Sequence, residues 1–253
     1  MTVSFNIKDG IGFVHFDRSE KLNALDIETF LEFERIAIAS ATDSNIRGLL
    51  FTAHGDRAFS VGADISELSK FSSTQALEVA RFRQSALMAL SNLKIPTVAI
   101  IDGYAMGGGL ELALACSFRL ATAKARFSFP EIKLGLLPGA GGTQRLPKLI
   151  GKSRSLEMML SARVVDAHEA QAIGLVNKII DNPLDEGEAF IREMTQYSRI
   201  ATSAIIQAVE ASDLPLELGM KIENQQLSTI NASPDAFEGV AAFLEKRPPR
   251  FNV

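Results

Sequence analysis

Short apolar runs alternate with longer segments of helical periodicity, and this alternation constrains the fold more than any other sequence feature. The runs 46–52 and 97–101 have the length of buried strands, and turn-forming residues follow each of them. The segment 74–93, which lies between them, has the length of a long helix. Strands that alternate with helices in this way predict an α/β core.

The two ends of the chain are expected to differ from this core. At the start, the segments 3–7 and 11–16 flank a turn and predict a hairpin. After Ile180 no strong strand signal follows, and the remaining sequence has helical periodicity. The chain has 253 residues, enough for one large core with an appendage. We therefore predict a core over 1–190 and a helical region over 191–253.

Composition and charge narrow the class of protein. The formal net charge of −4 argues against general nucleic-acid binding, because neutralising phosphates requires a basic excess. No stretch approaches the ~20 apolar residues that span a bilayer, so no membrane partner is expected. Cys116 is the single cysteine, which suits a reducing compartment, and the N-terminal sequence lacks a signal-peptide pattern. These features predict a cytoplasmic protein.

Several patterns that resemble cofactor or metal sites fail on inspection. Segment 139–144 resembles a dinucleotide fingerprint, but it lacks the third glycine and follows Pro138 directly. The three histidines share no metal-ligand spacing with one another or with the cysteine. The sequence therefore predicts no metal site.

Three segments, 58–65, 102–111 and 127–142, combine glycines with carboxylates. Gly107, Gly108 and Gly109 open a predicted helix, where the first N–H groups have no intrahelical partner and a ligand can approach the backbone. Such a site suits an oxygen that becomes negative during a reaction. Glu111 lies in the first turn of that helix, where a carboxylate is also a common stabilising feature. Glu131, directly after a proline, is equally ambiguous when it is taken alone.

Taken together, the three segments resemble the enoyl-CoA hydratase/isomerase family, also called the crotonase family. The resemblance extends from 18–25 to 238–247, nearly the whole chain. It implies a crotonase-like spiral of ββα units with a C-terminal helical trimerisation region. The expected assembly is a homotrimer or a dimer of trimers.

The resemblance also implies roles for individual residues. Ala63 and Gly108 match the positions whose N–H groups form the oxyanion hole for the thioester carbonyl. Glu111 matches the glutamate that activates water, and Glu131 matches the one that exchanges a proton with the α-carbon. Contacts with the acyl-CoA substrate are implied for Lys21, Leu22, Ala24, Ala58, Ala63, Asp64, Ile65, Gly108, Gly139 and Lys246. The acyl pocket is implied to lie along 68–93.

The function that this resemblance implies is hydration of a 2-trans-enoyl-CoA to a 3-hydroxyacyl-CoA, in fatty-acid β-oxidation or related acyl-CoA degradation. Both glutamates are present, whereas many isomerases and decarboxylases of the family keep one, and this favours a hydratase. An enoyl-CoA delta-isomerase, or another acyl-CoA lyase or isomerase of the family, is the alternative. A non-catalytic or RNA-binding member is the remote alternative. No cofactor is expected, because coenzyme A is part of the substrate.

Overall fold

In the computed structural model, which describes residues 2–68 and 71–251, ten strands form two sheets. The strands are β1 Val3–Lys8, β2 Ile11–Phe16, β3 Gly48–Ala53, β4 Ala58–Ser60, β5 Thr97–Ile101, β6 Tyr104–Met106, β7 Phe118–Ala121, β8 Arg126–Ser128, β9 Val165–Asp166 and β10 Lys178–Ile179. The larger sheet has the order β1-β2-β3-β5-β7-β10, and the smaller one has the order β4-β6-β8-β9.

Eleven helices accompany these strands in the described part of the chain. They are α1 Ile27–Thr42, α2 Ile65–Leu68, α3 Ser73–Ser91, α4 Gly108–Ala115, α5 Gly142–Ile150, α6 Lys152–Ser161, α7 Ala167–Ala172, α8 Pro183–Thr195, α9 Arg199–Glu210, α10 Leu216–Asn231 and α11 Pro234–Glu245. A 3-10 turn over Glu131–Leu134 separates β8 from α5. None of these helices is both long and apolar enough to span a bilayer.

From β3 to β8, consecutive strands alternate between the two sheets, and a helical segment follows each pair. β3 lies in the larger sheet and β4 in the smaller one, before α2 and α3; β5 and β6 repeat this arrangement before α4. β7 and β8 repeat it again before the 3-10 turn. Neighbours from β2 to β10 in the larger sheet are parallel, whereas β1 and β2 form the antiparallel hairpin expected from the sequence. The predicted spiral of ββα units is confirmed.

Local sequence signals explain where two of the long helices begin. The Asp26 side chain accepts a hydrogen bond from the Thr29 N–H group at 2.9 Å and so caps α1. Ser72 and Gln75 form a reciprocal capping box at the start of α3. Such caps satisfy N–H groups that a helix leaves unpaired, and each contributes about 1 kcal/mol.

The core lies on both faces of the larger sheet. On one face, Phe33 of α1 packs edge to face against Phe16 and Phe51 of the sheet. On the other face, Leu50 packs with Ile191, which lies in α8 and is 0% exposed. Helix α8 therefore runs across the predicted boundary at residue 190, because its apolar side covers the sheet. The helices outside this core begin after Thr195, although the division into two regions itself stays a prediction.

The last two helices expose large apolar side chains. Leu216 at the start of α10 is 78% exposed, and Phe243 near the end of α11 is 82% exposed. Leu218, Met220, Leu227, Phe237, Val240 and Leu244 are also exposed. An apolar surface of this kind in a single chain is typical of a region that packs against another chain.

Candidate active site

Helix α4 begins in close contact with the turn that follows β4. A Cβ atom on Gly109 would lie 2.3 Å from the Ser60 carbonyl oxygen, so only glycine allows this approach. Gly107 has a φ of +49°, and a Cβ atom there would lie 2.7 Å from Oε1 of Glu131. These glycines let the helix start and the 3-10 turn meet at one point.

Two backbone N–H groups lie side by side at this contact. The position of a Cβ atom on Gly108 would be 3.4 Å from the Ala63 nitrogen, so the two residues are immediate neighbours. Within residues 2–68 and 71–251, neither Ala63 nor Gly108 donates its N–H group to a protein acceptor. A pair of free donors at a helix N-terminus is a ready site for an anionic oxygen.

Glu111 lies in the first turn of α4 and is only 2% exposed. Its Oε1 atom accepts hydrogen bonds from the N–H groups of Ala140 and Gly142, at 2.7 and 2.8 Å. Burial raises the pKa of this carboxyl group, whereas the two N–H donors and the charges of Arg145 and Arg83 lower it. Burial has the largest effect, so the pKa is raised overall, and the two N–H donors fix the side chain in orientation.

Glu131 opens the 3-10 turn after Pro130 and has a different environment. Its Oε2 atom is buried and has no hydrogen-bond partner in the described part of the chain. Burial, together with the charge of Glu111, raises the pKa of Glu131 to about 7, although its own backbone N–H group opposes the shift. At neutral pH this carboxyl group exists in comparable amounts with and without its proton.

The two glutamates and the two N–H groups line one cavity of about 260 Å³. Most of the other residues that line it are apolar, among them Phe30, Val61, Ala76, Val79, Ala80, Leu134, Leu136 and Leu137. A mainly apolar cavity with a few convergent polar groups is the usual form of a small-molecule site.

Six of the residues predicted from the sequence line this cavity: Ala63, Ile65, Gly108, Glu111, Glu131 and Gly139. The others lie elsewhere. Leu22 and Ala58 line a separate cavity of about 260 Å³. The Lys21 ammonium nitrogen lies 3.5 Å from Oδ2 of Asp64. The pKa of Asp64 is lowered to about 2, chiefly by a hydrogen bond from the Ser66 hydroxyl and to a smaller extent by Lys21. Ala24 is buried, and its carbonyl accepts a hydrogen bond from Arg18. Lys246 ends α11 and does not line the site cavity.

The segment 68–93 contributes four cavity residues from the N-terminal half of α3: Ala76, Val79, Ala80 and Arg83. Residues 69 and 70 of that segment lie outside the described residues. One face of α3 therefore lines the cavity, and its role as the wall that receives the acyl chain stays a prediction.

Three polar residues at the site were not predicted. The Gln84 side chain donates to the Gly139 carbonyl at 2.8 Å, and Arg145 donates to the Ala140 carbonyl at 3.1 Å. Both bonds position the loop whose N–H groups hold Glu111. Arg83 is buried beside the cavity. Its signal in the sequence was a charged residue on the same helical face as Leu87 and Leu90, which are apolar.

This arrangement of two carboxyl groups beside two free N–H donors suits acid–base chemistry on a substrate that develops an oxyanion. The sequence profile of the enoyl-CoA hydratase/isomerase family matches residues 6–253, and the chain belongs to this family.

Individual relatives agree with the family assignment. The chain is 37% identical over 245 residues to a probable enoyl-CoA hydratase of Mycobacterium leprae, covering 96% of this chain and 94% of the relative. It is 35% identical over 253 residues to the mitochondrial methylglutaconyl-CoA hydratase of Mus musculus, covering 96% and 80%. The crystal structure of an enoyl-CoA hydratase from Bacillus anthracis has a TM-score of 0.92 at 30% identity and covers 99% of both chains.

Proposed function

We propose that the chain is an enoyl-CoA hydratase, which adds water across the double bond of a 2-trans-enoyl-CoA to give a 3-hydroxyacyl-CoA. The observation that carries the proposal is the pair of glutamates in one cavity, both with raised pKa values but with different hydrogen-bond partners, beside two free N–H donors. Relatives named as hydratases support it. Because these relatives act on different acyl groups by name, the likeness does not define the acyl chain.

Glu111 is proposed as the base that activates water. Burial raises the pKa of its carboxyl group and so strengthens it as a base, while two N–H donors and two guanidinium charges keep the ionised form accessible. The same two N–H donors occupy Oε1 and fix the carboxylate. The remaining oxygen, Oε2, is then the atom that takes the proton from water as its oxygen attacks C3.

Glu131 is proposed as the acid that delivers a proton to C2. None of the donors that stabilise Glu111 reaches its buried Oε2 atom, and burial, with the neighbouring negative charge, raises its pKa. Two carboxyl groups in one cavity, one held by N–H donors and the other without a donor at its buried Oε2 atom, suit one base and one acid. Glu111 gains a proton from water and Glu131 supplies one to carbon, so the product balances. Exchange of one proton with solvent at each carboxyl group then restores the pair for the next turnover.

The N–H groups of Ala63 and Gly108 are proposed to bind the thioester carbonyl oxygen. When water attacks C3 of the conjugated system, negative charge moves to this oxygen, and two fixed donors then bind it more strongly than in the ground state. Hydration leaves the oxidation state of the molecule as a whole unchanged. We therefore propose no cofactor apart from the coenzyme A of the substrate.

The coenzyme contacts implied by the family are proposed for Lys21, Leu22, Ala24, Ala58, Asp64 and Ile65, on the same side of the molecule as the Ala63 turn. Lys246 is proposed to reach the coenzyme of a neighbouring subunit, because it lies in the C-terminal region away from its own cavity. The exposed apolar residues of α10 and α11 support a homotrimer or a dimer of trimers. Light scattering that gives only monomers at micromolar concentration would contradict this assembly.

The function is tested by following solvent oxygen. Purified protein is incubated with 2-hexenoyl-CoA in heavy-oxygen water, and the product is analysed by mass spectrometry. A hydratase abolishes the conjugated absorbance and places the label in a 3-hydroxyl group. Rapid interconversion of 2- and 3-enoyl-CoA with almost no label in the product would instead identify an isomerase.

A further inference from the structure

Arg83 is a charged residue in the wall of an otherwise mainly apolar cavity. It lies in the middle of α3 and is only 8% exposed. Ala76, Val79 and Ala80 of the same helix line the cavity with it. Arg81, two residues earlier, is exposed, as is usual for an arginine on a helix.

The guanidinium group of Arg83 lacks the hydrogen bonds that burial demands. Its Nε and Nη2 atoms are buried and have no hydrogen-bond partner within residues 2–68 and 71–251. Nη2 is 3.7 Å from Oε2 of Glu67, an ion-pair distance too long for a hydrogen bond. The Phe30 ring lies 5.4 Å from the guanidinium carbon and offers a cation–π contact, but no acceptor atom.

A buried arginine with free donors is unfavourable unless an acceptor completes it. The space beside Arg83 is the substrate cavity, so a bound molecule is the source from which that acceptor can come. The group that matches a planar fork of N–H donors is a carboxylate, which accepts two parallel hydrogen bonds. The apolar residues of α3 beside Arg83 suit the hydrocarbon part of an acyl chain.

We propose that Arg83 binds a carboxylate at the far end of the substrate acyl chain, so that the preferred substrates are CoA monothioesters of unsaturated dicarboxylic acids. This inference rests on the proposed function, because it takes the occupant of the cavity to be an acyl thioester. It adds a selectivity that the catalytic glutamates and the N–H pair do not supply.

The test measures binding of saturated thioesters, which have no double bond to hydrate. Titration calorimetry compares glutaryl-, adipoyl- and suberoyl-CoA with pentanoyl-, hexanoyl- and octanoyl-CoA, their uncharged partners of equal length. The intact protein should bind the carboxylated member of at least one pair about 10- to 100-fold more tightly. In Arg83→Met this ratio should fall to about one, and Arg83→Lys should keep part of it.

Two controls separate this role from others. Arg81→Met removes an exposed arginine from the same helix and should leave the ratio as in the intact protein. Melting curves check folding, because Arg83→Met leaves the Glu67 carboxylate without its ion-pair partner. If Arg83→Met melts early, Arg83→Lys, which keeps a positive charge beside Glu67, carries the comparison.

Three results would overturn the proposal. The intact protein could show no preference for the carboxylated member at any length. Arg83→Met could weaken both members of every pair equally, as expected for a purely structural role. It could also weaken binding of free coenzyme A to the same extent, which would assign Arg83 to the coenzyme. Failure of the hydratase proposal is recognised separately, by the absence of turnover with both 2-hexenoyl-CoA and its counterpart of equal length that carries a terminal carboxylate.

Discussion

The two glutamates of the cavity lie on walls that are built differently. Glu111 projects from a regular helix and is held by two N–H groups of the loop before α5. Glu131 projects from a 3-10 turn, and its buried Oε2 atom has no hydrogen-bond partner in the described residues. The same residue type is thus firmly held on one wall and poorly satisfied on the other.

This difference shows how one amino acid can serve as both base and acid. The loop donors cancel part of the effect of burial at Glu111, whereas at Glu131 burial and a neighbouring negative charge act in the same direction. The asymmetry therefore comes from the backbone around each carboxylate. Replacing each glutamate in turn tests whether this asymmetry governs the chemistry.

The largest expected effect is that of Glu111→Gln. The amide oxygen can still accept from Ala140 and Gly142, but the side chain no longer takes a proton from water, so kcat should fall about 10³- to 10⁴-fold. Stopped-flow loss of conjugated absorbance measures this. Glu223→Gln, on exposed α10, is the matched control. Turnover within tenfold of the intact enzyme would exclude Glu111 as the base.

Glu131→Gln should lower kcat by a smaller factor, about 10²- to 10³-fold. The loss is smaller because solvent can replace Glu131 as the proton donor to C2, although at a lower rate. In deuterated water this variant should also lose stereospecific deuterium incorporation at C2, which NMR of the product detects. A stereospecific product formed at the normal rate would show that another group delivers this proton.

The pH dependence should be the same in both directions of the reaction, because hydration takes up and releases no proton overall. Hydration needs Glu131 protonated beside an ionised Glu111, so kcat/KM should fall about tenfold per pH unit above about 7. Dehydration of the 3-hydroxyacyl-CoA needs the same single proton of the pair, now on Glu111, so its kcat/KM should fall over the same range. Glu131→Gln should lack this fall. A hydration profile that stays flat between pH 6 and pH 9 would contradict the assignment.

The smallest expected effect concerns stability. The folded-state pKa of Glu131, about 7, is raised above its ordinary value of 4.5, so the folded state prefers the protonated form. That contribution is fully present below about pH 4.5 and is lost as pH rises through about 7. Glu131→Gln should therefore melt a few degrees above the intact protein at pH 8, and at nearly the same temperature at pH 4. An equal difference at both pH values would show that ionisation of Glu131 is not its cause.

The sequence predicts the site well where one short segment carries the signal. Strand β5, the cap at Asp26 and the glycines before α4 all have local causes, and the structure contains each feature. The donors to Glu111 could not be predicted in this way, because they lie about 30 residues away. They reach the carboxylate only through Gly141, whose φ is +111°, and through the packing of α5 on α4.

Two other features also depend on contacts between distant segments: the position of the boundary before the C-terminal helices, and the burial of Arg83. Residues 183–195 have helical periodicity, but only the assembled sheet shows that this helix belongs to the core. Arg83 is one of several charged residues in α3, and its burial depends on how α1 and α2 pack over it. Tertiary contacts decided both points.

The donors proposed for the carbonyl oxygen, at Ala63 and Gly108, belong to the peptide backbone. A point mutation that exchanges one side chain for another leaves the N–H group in place, and only replacement by proline removes it. The proposed binding site for the carbonyl oxygen is thus retained through most substitutions, whereas the cavity residues of α3 can change one at a time. New substrate preferences can evolve in such a lineage while the means of activating the thioester is inherited intact.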